Sequence, residues 1–255
     1  MVSLDQGNTI KPIYLAIHLT YKCPAKCDHC CFSSGPGVNG RIDLETAERA
    51  IDQAAQISTL TMVGFTGGEP MLYPRELVKL LRKSKNHGLR TRIVTSAAWA
   101  KKAEKAEEML ADLKEAGLDE ISLSYDDSHA PFITERQIAN CVRAAASNKI
   151  PVAINVCVDI DAKITGATVK ELLEAEGIDT TTIRLQDTLI NSTGRAEKLT
   201  SDQLATRGVW SARAITFCAV RQSIPTATFC HAVALFRFIM ACRSAMRKRP
   251  RSPRR

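Results

Sequence analysis

A chain of 255 residues, 45% of them hydrophobic, can bury the core of one large α/β domain or two small ones. No apolar run reaches the roughly 18 residues of a membrane span, and the start MVSLDQGNTIKP lacks the basic and apolar segments of a signal peptide, so a reducing, cytoplasmic setting is expected. The net charge of +8 belongs to one end: residues 203–255 carry ten Arg, one Lys and no acid, leaving 24 basic against 27 acidic residues, a net −3, in 1–202, which argues against nucleic-acid binding by the body of the chain.

Taken in order, residues 1–12 read as a lead-in, and IYLAIHLT (13–20) as a strand. LETAERAIDQAAQI (44–57) has helical spacing and good helix formers. LTMVGFT (60–66) is strand-like and runs into Gly-Gly-Glu-Pro. PRELVKLLRKSKNHG (74–88) is a helix closed by glycine. RTRIVTS (90–96) is a strand, and KAEKAEEMLADLKEAG (102–117) a charged amphipathic helix. EISLSY (120–125) is a strand, followed by a helix over 134–149 with Thr134 as its N-cap. PVAINVCVDI (151–160) is a strand, TVKELLEAEG (168–177) a helix and TTIRLQDTLI (181–190) a strand. Such β/α alternation implies a parallel sheet with crossover helices, either an open doubly wound sheet or an incomplete (β/α)8-type barrel. In both, chemistry belongs at the C-terminal ends of the strands. The segment after the first strand and the Gly-Gly-Glu-Pro after the second both fall there.

That first segment is CPAKCDHCC, which holds four of the nine cysteines in nine residues. In a reducing compartment, clustered cysteines bind metal or do redox chemistry more often than they form disulfides. Cys23, Cys27 and Cys30 have the spacing C-x3-C-x2-C, three thiolates on one short loop and one short of four. That donor set suits a [4Fe–4S] cluster whose fourth iron is left to a small molecule. The competing reading is a zinc site completed by Cys31 or His29. It lacks a second C-x-x-C or H-x3-H downstream, so the spacing favours the cluster. Cys157, within an apolar run, reads as a small buried hydrophobe.

The loop, with the aromatic His29 directly before Cys30, resembles the C-x3-C-x-aromatic-C signature of the radical S-adenosylmethionine (SAM) superfamily. Gly67, Gly68, Glu69 and Pro70 resemble its glycine-rich motif. The resemblance covers residues 13–200 as a core domain and implies a partial (β/α)6, TIM-like barrel. It implies that Cys23, Cys27 and Cys30 ligate three irons, that SAM chelates the fourth, that Gly67–Pro70 hold the SAM amino group, and that His29 lies near the adenine. Glycines allow close approach of backbone carbonyls, the acceptors an ammonium needs. Ribose and methionine contacts would come from polar residues at the strand ends: Thr95, Ser96, Ser122, Ser124, Asp126 or Asn155, of which Ser124 and Asn155 are the best choices. Arg184 would meet the SAM carboxylate or a substrate, or form a surface ion pair. Cys31 is expected to be a buried or idle thiol. The implied chemistry is reductive cleavage of SAM, with an electron from reduced flavodoxin or ferredoxin, and hydrogen-atom abstraction from a peptide or protein. A small-molecule or cofactor-biosynthetic substrate is the alternative, and a non-catalytic zinc module the rival from outside enzymology.

Gly194-Arg195-Ala196 resembles the segment that closes the barrel in members with a SPASM or twitch extension. The tail beyond it offers only Cys218, Cys230 and Cys242, twelve residues apart, which is not a compact ligand spacing. Three readings of 201–255 compete: a basic arm for RNA, an acidic partner or anionic lipid; a helix near 232–246 packed on the barrel; or a disordered sequence foreign to the body, such as a reading-frame change produces. The abrupt loss of acidic residues favours the third, and makes nucleic-acid binding by the tail the weaker reading.

Overall fold

The computed structural model describes residues 12–190 and 192–199. The readings of the lead-in before residue 12 and of the tail from 201, with Cys218, Cys230 and Cys242, lie outside the described residues. Six strands and five α-helices alternate: β1 (Tyr14–His18), α1 (Leu44–Ala54), β2 (Met62–Thr66), α2 (Pro74–Asn86), β3 (Arg90–Thr95), α3 (Ala103–Glu115), β4 (Glu120–Ser124), α4 (Glu135–Ser147), β5 (Val152–Val158), α5 (Gly166–Ala175) and β6 (Arg184–Leu189). Caps set several of these boundaries. Thr134 caps α4, as the sequence predicts, and forms a reciprocal capping box with Gln137. The α5 helix begins two residues earlier than its apolar pattern suggests because Thr165 caps it, accepting from the Thr168 amide.

All strands pair in parallel in the order β1-β2-β3-β4-β5-β6. A doubly wound sheet reverses its order at a switch point; this one does not, so the barrel alternative holds. β6 does not pair with β1 among the described residues, and the barrel is therefore partial. Alternation along the strands sorts residues into two faces. Phe65, Ile93, Ile121, Leu123 and Ile154 join the core beneath the helices. The opposite, inner face carries Tyr14, His18, Arg92, Ser122, Ser124, Asn155 and Cys157, which follows from their alternation with those core positions.

The N-terminal ends of the strands are closed by charge. Glu120, buried at the start of β4, receives Arg92 and Arg184, each at 2.8 Å. Arg184 therefore sits at the opposite end of the barrel from the cysteine loop, and of the roles expected for it the ion pair is the one realised. Beside this cluster the Tyr14 ring lies across Gly64, where a Cβ would come within 1.6 Å of the tyrosine oxygen. Gly64→Ala overpacks this spot and should lower stability by about 1–3 kcal/mol, read as a lower urea midpoint with an unchanged slope.

Candidate active site

The cysteine loop leaves the C-terminal end of β1 and is held there by backbone contacts. Gly68 N–H donates to Thr20 O and Glu69 N–H to Lys22 O at 2.9 Å. A Cβ at Gly67 would stand 2.6 Å from Thr20 O, and one at Gly68 2.2 Å from Lys22 O. The two glycines thus let the segment after β2 lie flush against the start of the cysteine loop, with Gly67 at φ +152°. Their own carbonyls accept no hydrogen bond among the described residues. The Glu69 side chain is fully engaged elsewhere: it accepts from Met71 N, Thr95 Oγ1, Ser96 N and Ser96 Oγ at 2.7–3.0 Å. These four bonds fill a carboxylate's capacity, so Glu69 is the anchor that ties this segment to β3. Thr95 and Ser96 are occupied in the same way. Pro70 opens a short 3-10 turn (Pro70–Leu72).

Cys23 and Cys27 are buried, Cys30 is half-buried, and the three pack together around Ala25. All are free thiols. Burial pushes the Cys23 thiol up to about 11, with Glu69 and Cys30 adding to it. Cys27 is pushed up further, first by burial, then by Asp126 and the other two cysteines. Three soft donors that repel one another as thiolates are a site for a cation, whose binding displaces the protons. Cys31 is exposed.

His29 is tied to Asp126, just beyond β4. Its Nε2 bonds both oxygens of Asp126, at 2.9 and 3.0 Å, and His129 Nδ1 bonds Asp126 Oδ1 at 2.8 Å. The Asp126 carboxylate also accepts from the amides of Ser128, His129 and Cys157. Burial would raise the Asp126 pKa, but His129 and His29 outweigh it and hold the carboxyl well below its usual range. Burial would lower His29, and Asp126 reverses that into a rise. The ligand atoms of His29, Asp126 and His129 lie within 4.8 Å of one another, yet hydrogen bonds account for the whole arrangement. The sequence points to Asp126 as a strand-end polar residue; it gives no sign of His129, which no motif marks.

Ser124 and Asn155 are register partners on the inner face. Asn155 Nδ2 donates to Ser122 Oγ at 2.8 Å, which offsets part of the cost of placing an amide in an apolar strand. Two positions on, Cys157 is only half-buried, its sulfur 3.6 Å from Thr188 Oγ1; it lines the inner face, where the sequence suggested a core position. His18, also missed, ends β1 between the rings of Tyr21 and Phe32, with centroids 4.4 and 4.3 Å away. Both of its ring nitrogens are buried without a partner among the described residues, and burial lowers its pKa to about 4.

The Gly194-Arg195 segment reaches back to the same loop. Arg195 N–H donates to Cys30 O at 3.0 Å, its Nε to Cys27 O at 2.8 Å and its Nη1 to Ser34 O. Gly194, at φ +65°, lies so close that a Cβ would stand 2.4 Å from Cys31 O.

A three-cysteine loop and a Gly-Gly-Glu-Pro turn, side by side at the C-terminal mouth of a partial parallel barrel, define the site type of radical SAM proteins. Residues 17–176 match the radical SAM superfamily model, 160 of the 255 residues, and the chain belongs to that superfamily, whose cofactors are a [4Fe–4S] cluster and SAM. It is 30% identical over 157 residues to YydG of Bacillus subtilis, a protein named for peptide biosynthesis, covering 62% of this chain and 46% of YydG. It is 36% identical over 120 residues to the PqqA peptide cyclase of Granulibacter bethesdensis, covering 46% of this chain and 29% of the cyclase. The chain thus spans less than half the length of each. The crystal structure of methylornithine synthase, PylB, shares the fold with a TM-score of 0.52 at 17% identity, over 76% of this chain and 58% of PylB. No helix among the described residues is long and apolar enough to cross a membrane.

Proposed function

We propose that this protein is a radical SAM enzyme that acts on a peptide or protein. The observation that carries the reading is that the loop holding Cys23, Cys27 and Cys30, packed around Ala25, starts flush against a turn whose two glycine carbonyls have no hydrogen-bond partner among the described residues. The donor set fits the cofactors: three thiolates would hold three irons, and the Gly67 and Gly68 carbonyls are acceptors suited to the ammonium group of SAM. When bound, the cluster and SAM supply reductive cleavage and a hydrogen-atom abstraction. The chain's own task is placement. Glu69 fixes the turn through Thr95 and Ser96, Asp126 sets the angle of His29 at the adenine, and Ser124 and Asn155 line the inner wall within the ribose and methionine region. The names of YydG and the PqqA cyclase support a peptide substrate; a small-molecule substrate is the second reading, since PylB carries the same fold. Reduced flavodoxin or ferredoxin would deliver the electron, and an oxygen-poor cytoplasm would suit the thiolates.

Anaerobic reconstitution with iron and sulfide tests this. About four irons per chain are expected, with dithionite-dependent conversion of SAM to methionine and 5′-deoxyadenosine. One tightly bound zinc and intact SAM would instead identify a non-catalytic metal module.

A further inference from the structure

Polar atoms buried without a partner are rare and point to a group that belongs beside them. Three residues that touch the cysteine loop or belong to it, His18, Ser34 and Arg195, carry such atoms. The most informative is Arg195 Nη2. The rest of that side chain is committed: Nε and Nη1 bond the carbonyls of Cys27 and Ser34, while the backbone amide bonds Cys30 O. Three bonds to residues 27, 30 and 34 fix the guanidinium under the loop, and Gly194 lets the segment approach that closely. The Nη2 amino group of this rigid fork, with its two N–H donors, is left over and buried on a cation bound to the loop that carries the three cysteines.

We propose that Arg195 is a positioning residue for the cluster, donating Nη2–H to one of its sulfurs and raising its reduction potential. The proposal rests on the cluster assignment made above. Its physics is simple. Reduction adds one electron, taken from an external donor, to a centre already carrying three thiolates. A fixed positive charge and a hydrogen bond to sulfur both favour the more negative state, and these are among the factors that set cluster potentials. The shared chemistry of the expected partner is an anionic acceptor, which the SAM carboxylate could also supply, so the test is run without SAM and then with it.

The measurement is the midpoint potential of the reconstituted cluster, followed by its paramagnetic signal, in wild type, Arg195→Gln and Arg195→Lys. Without SAM, Arg195→Gln is expected to shift the one-electron reduction equilibrium at least tenfold toward the oxidised form, about 59 mV more negative. Lysine keeps the charge but not the fork and should fall between. Wild-type potentials in both variants would overturn the proposal, as would a shift that appears only once SAM is added. Should the glutamine variant hold too little iron, the lysine variant decides in the same way. Where iron is lost, the potential of the clusters that remain decides: a shift to lower potential supports the proposal, and a wild-type potential overturns it. Failure of the wild type itself to bind four irons would strike the cluster assignment instead.

Discussion

Cys27→Ala is expected to abolish reductive cleavage of SAM. Of the three clustered thiols, Cys27 is the one whose surroundings most oppose a bare thiolate: it is buried, faces Asp126 and sits between Cys23 and Cys30. Only a strongly bound cation offsets that repulsion, and an incomplete ligand set holds it poorly. Loss of an outer-shell partner typically costs about 10–100-fold in metal affinity or activity; loss of a ligand should exceed that, with iron falling well below four per chain. The fold should survive, because the loop is held by the Cys27 carbonyl to Arg195, by Gly68 N–H to Thr20 O and by Glu69 N–H to Lys22 O, and alanine keeps every one of these. Two controls bracket the result. Cys31→Ala and Cys157→Ala alter an exposed thiol and an inner-wall thiol, and both should retain four irons. Turnover at the wild-type rate in Cys27→Ala would remove the cluster assignment.

The backbone plan was legible because each layer of signal agreed with the next. Apolar periodicity marked every helix, apolar runs marked the strands, and Thr134 announced α4 as its N-cap. What the sequence left open, barrel or open sheet, turns on strand order, which is a long-range property that no local pattern encodes. The site was legible where chemistry is written in spacing, as in Cys23, Cys27 and Cys30. It was not legible where contacts join distant segments. Arg195 meets Cys27 across 168 residues, and Asp126 meets His29 across 97. Glu69 is a further lesson of this kind: its carboxylate accepts from Thr95, Ser96 and Met71, contacts to β3 that its motif does not encode.

Asp126→Ala is the substitution expected to cost the most stability. The carboxylate is 1% exposed and joins three parts of the barrel mouth: the cysteine loop through His29, the turn after β4 through Ser128 and His129, and β5 through the Cys157 amide. Alanine strands two imidazoles and the amides of Ser128 and Cys157 at once, while the His129 amide keeps its bond to the residue 126 carbonyl. Removing one member of a buried, hydrogen-bonded charge pair costs about 3–5 kcal/mol, a large share of the roughly 5–15 kcal/mol that holds a typical domain folded. Urea denaturation of the protein before iron loading reads this directly. Asp126→Asn, which keeps one acceptor oxygen and much of the shape, should lose less, about 1–3 kcal/mol. His29→Phe separates the anchoring from the site: it retains an aromatic ring before Cys30 but cannot bond Asp126, so it should bind iron as the wild type does while giving up part of the stability. A urea midpoint for Asp126→Ala equal to that of the wild type would mean that the carboxylate does not tie the loop to the barrel. The angle of His29 would then have to be set by the cysteine loop alone.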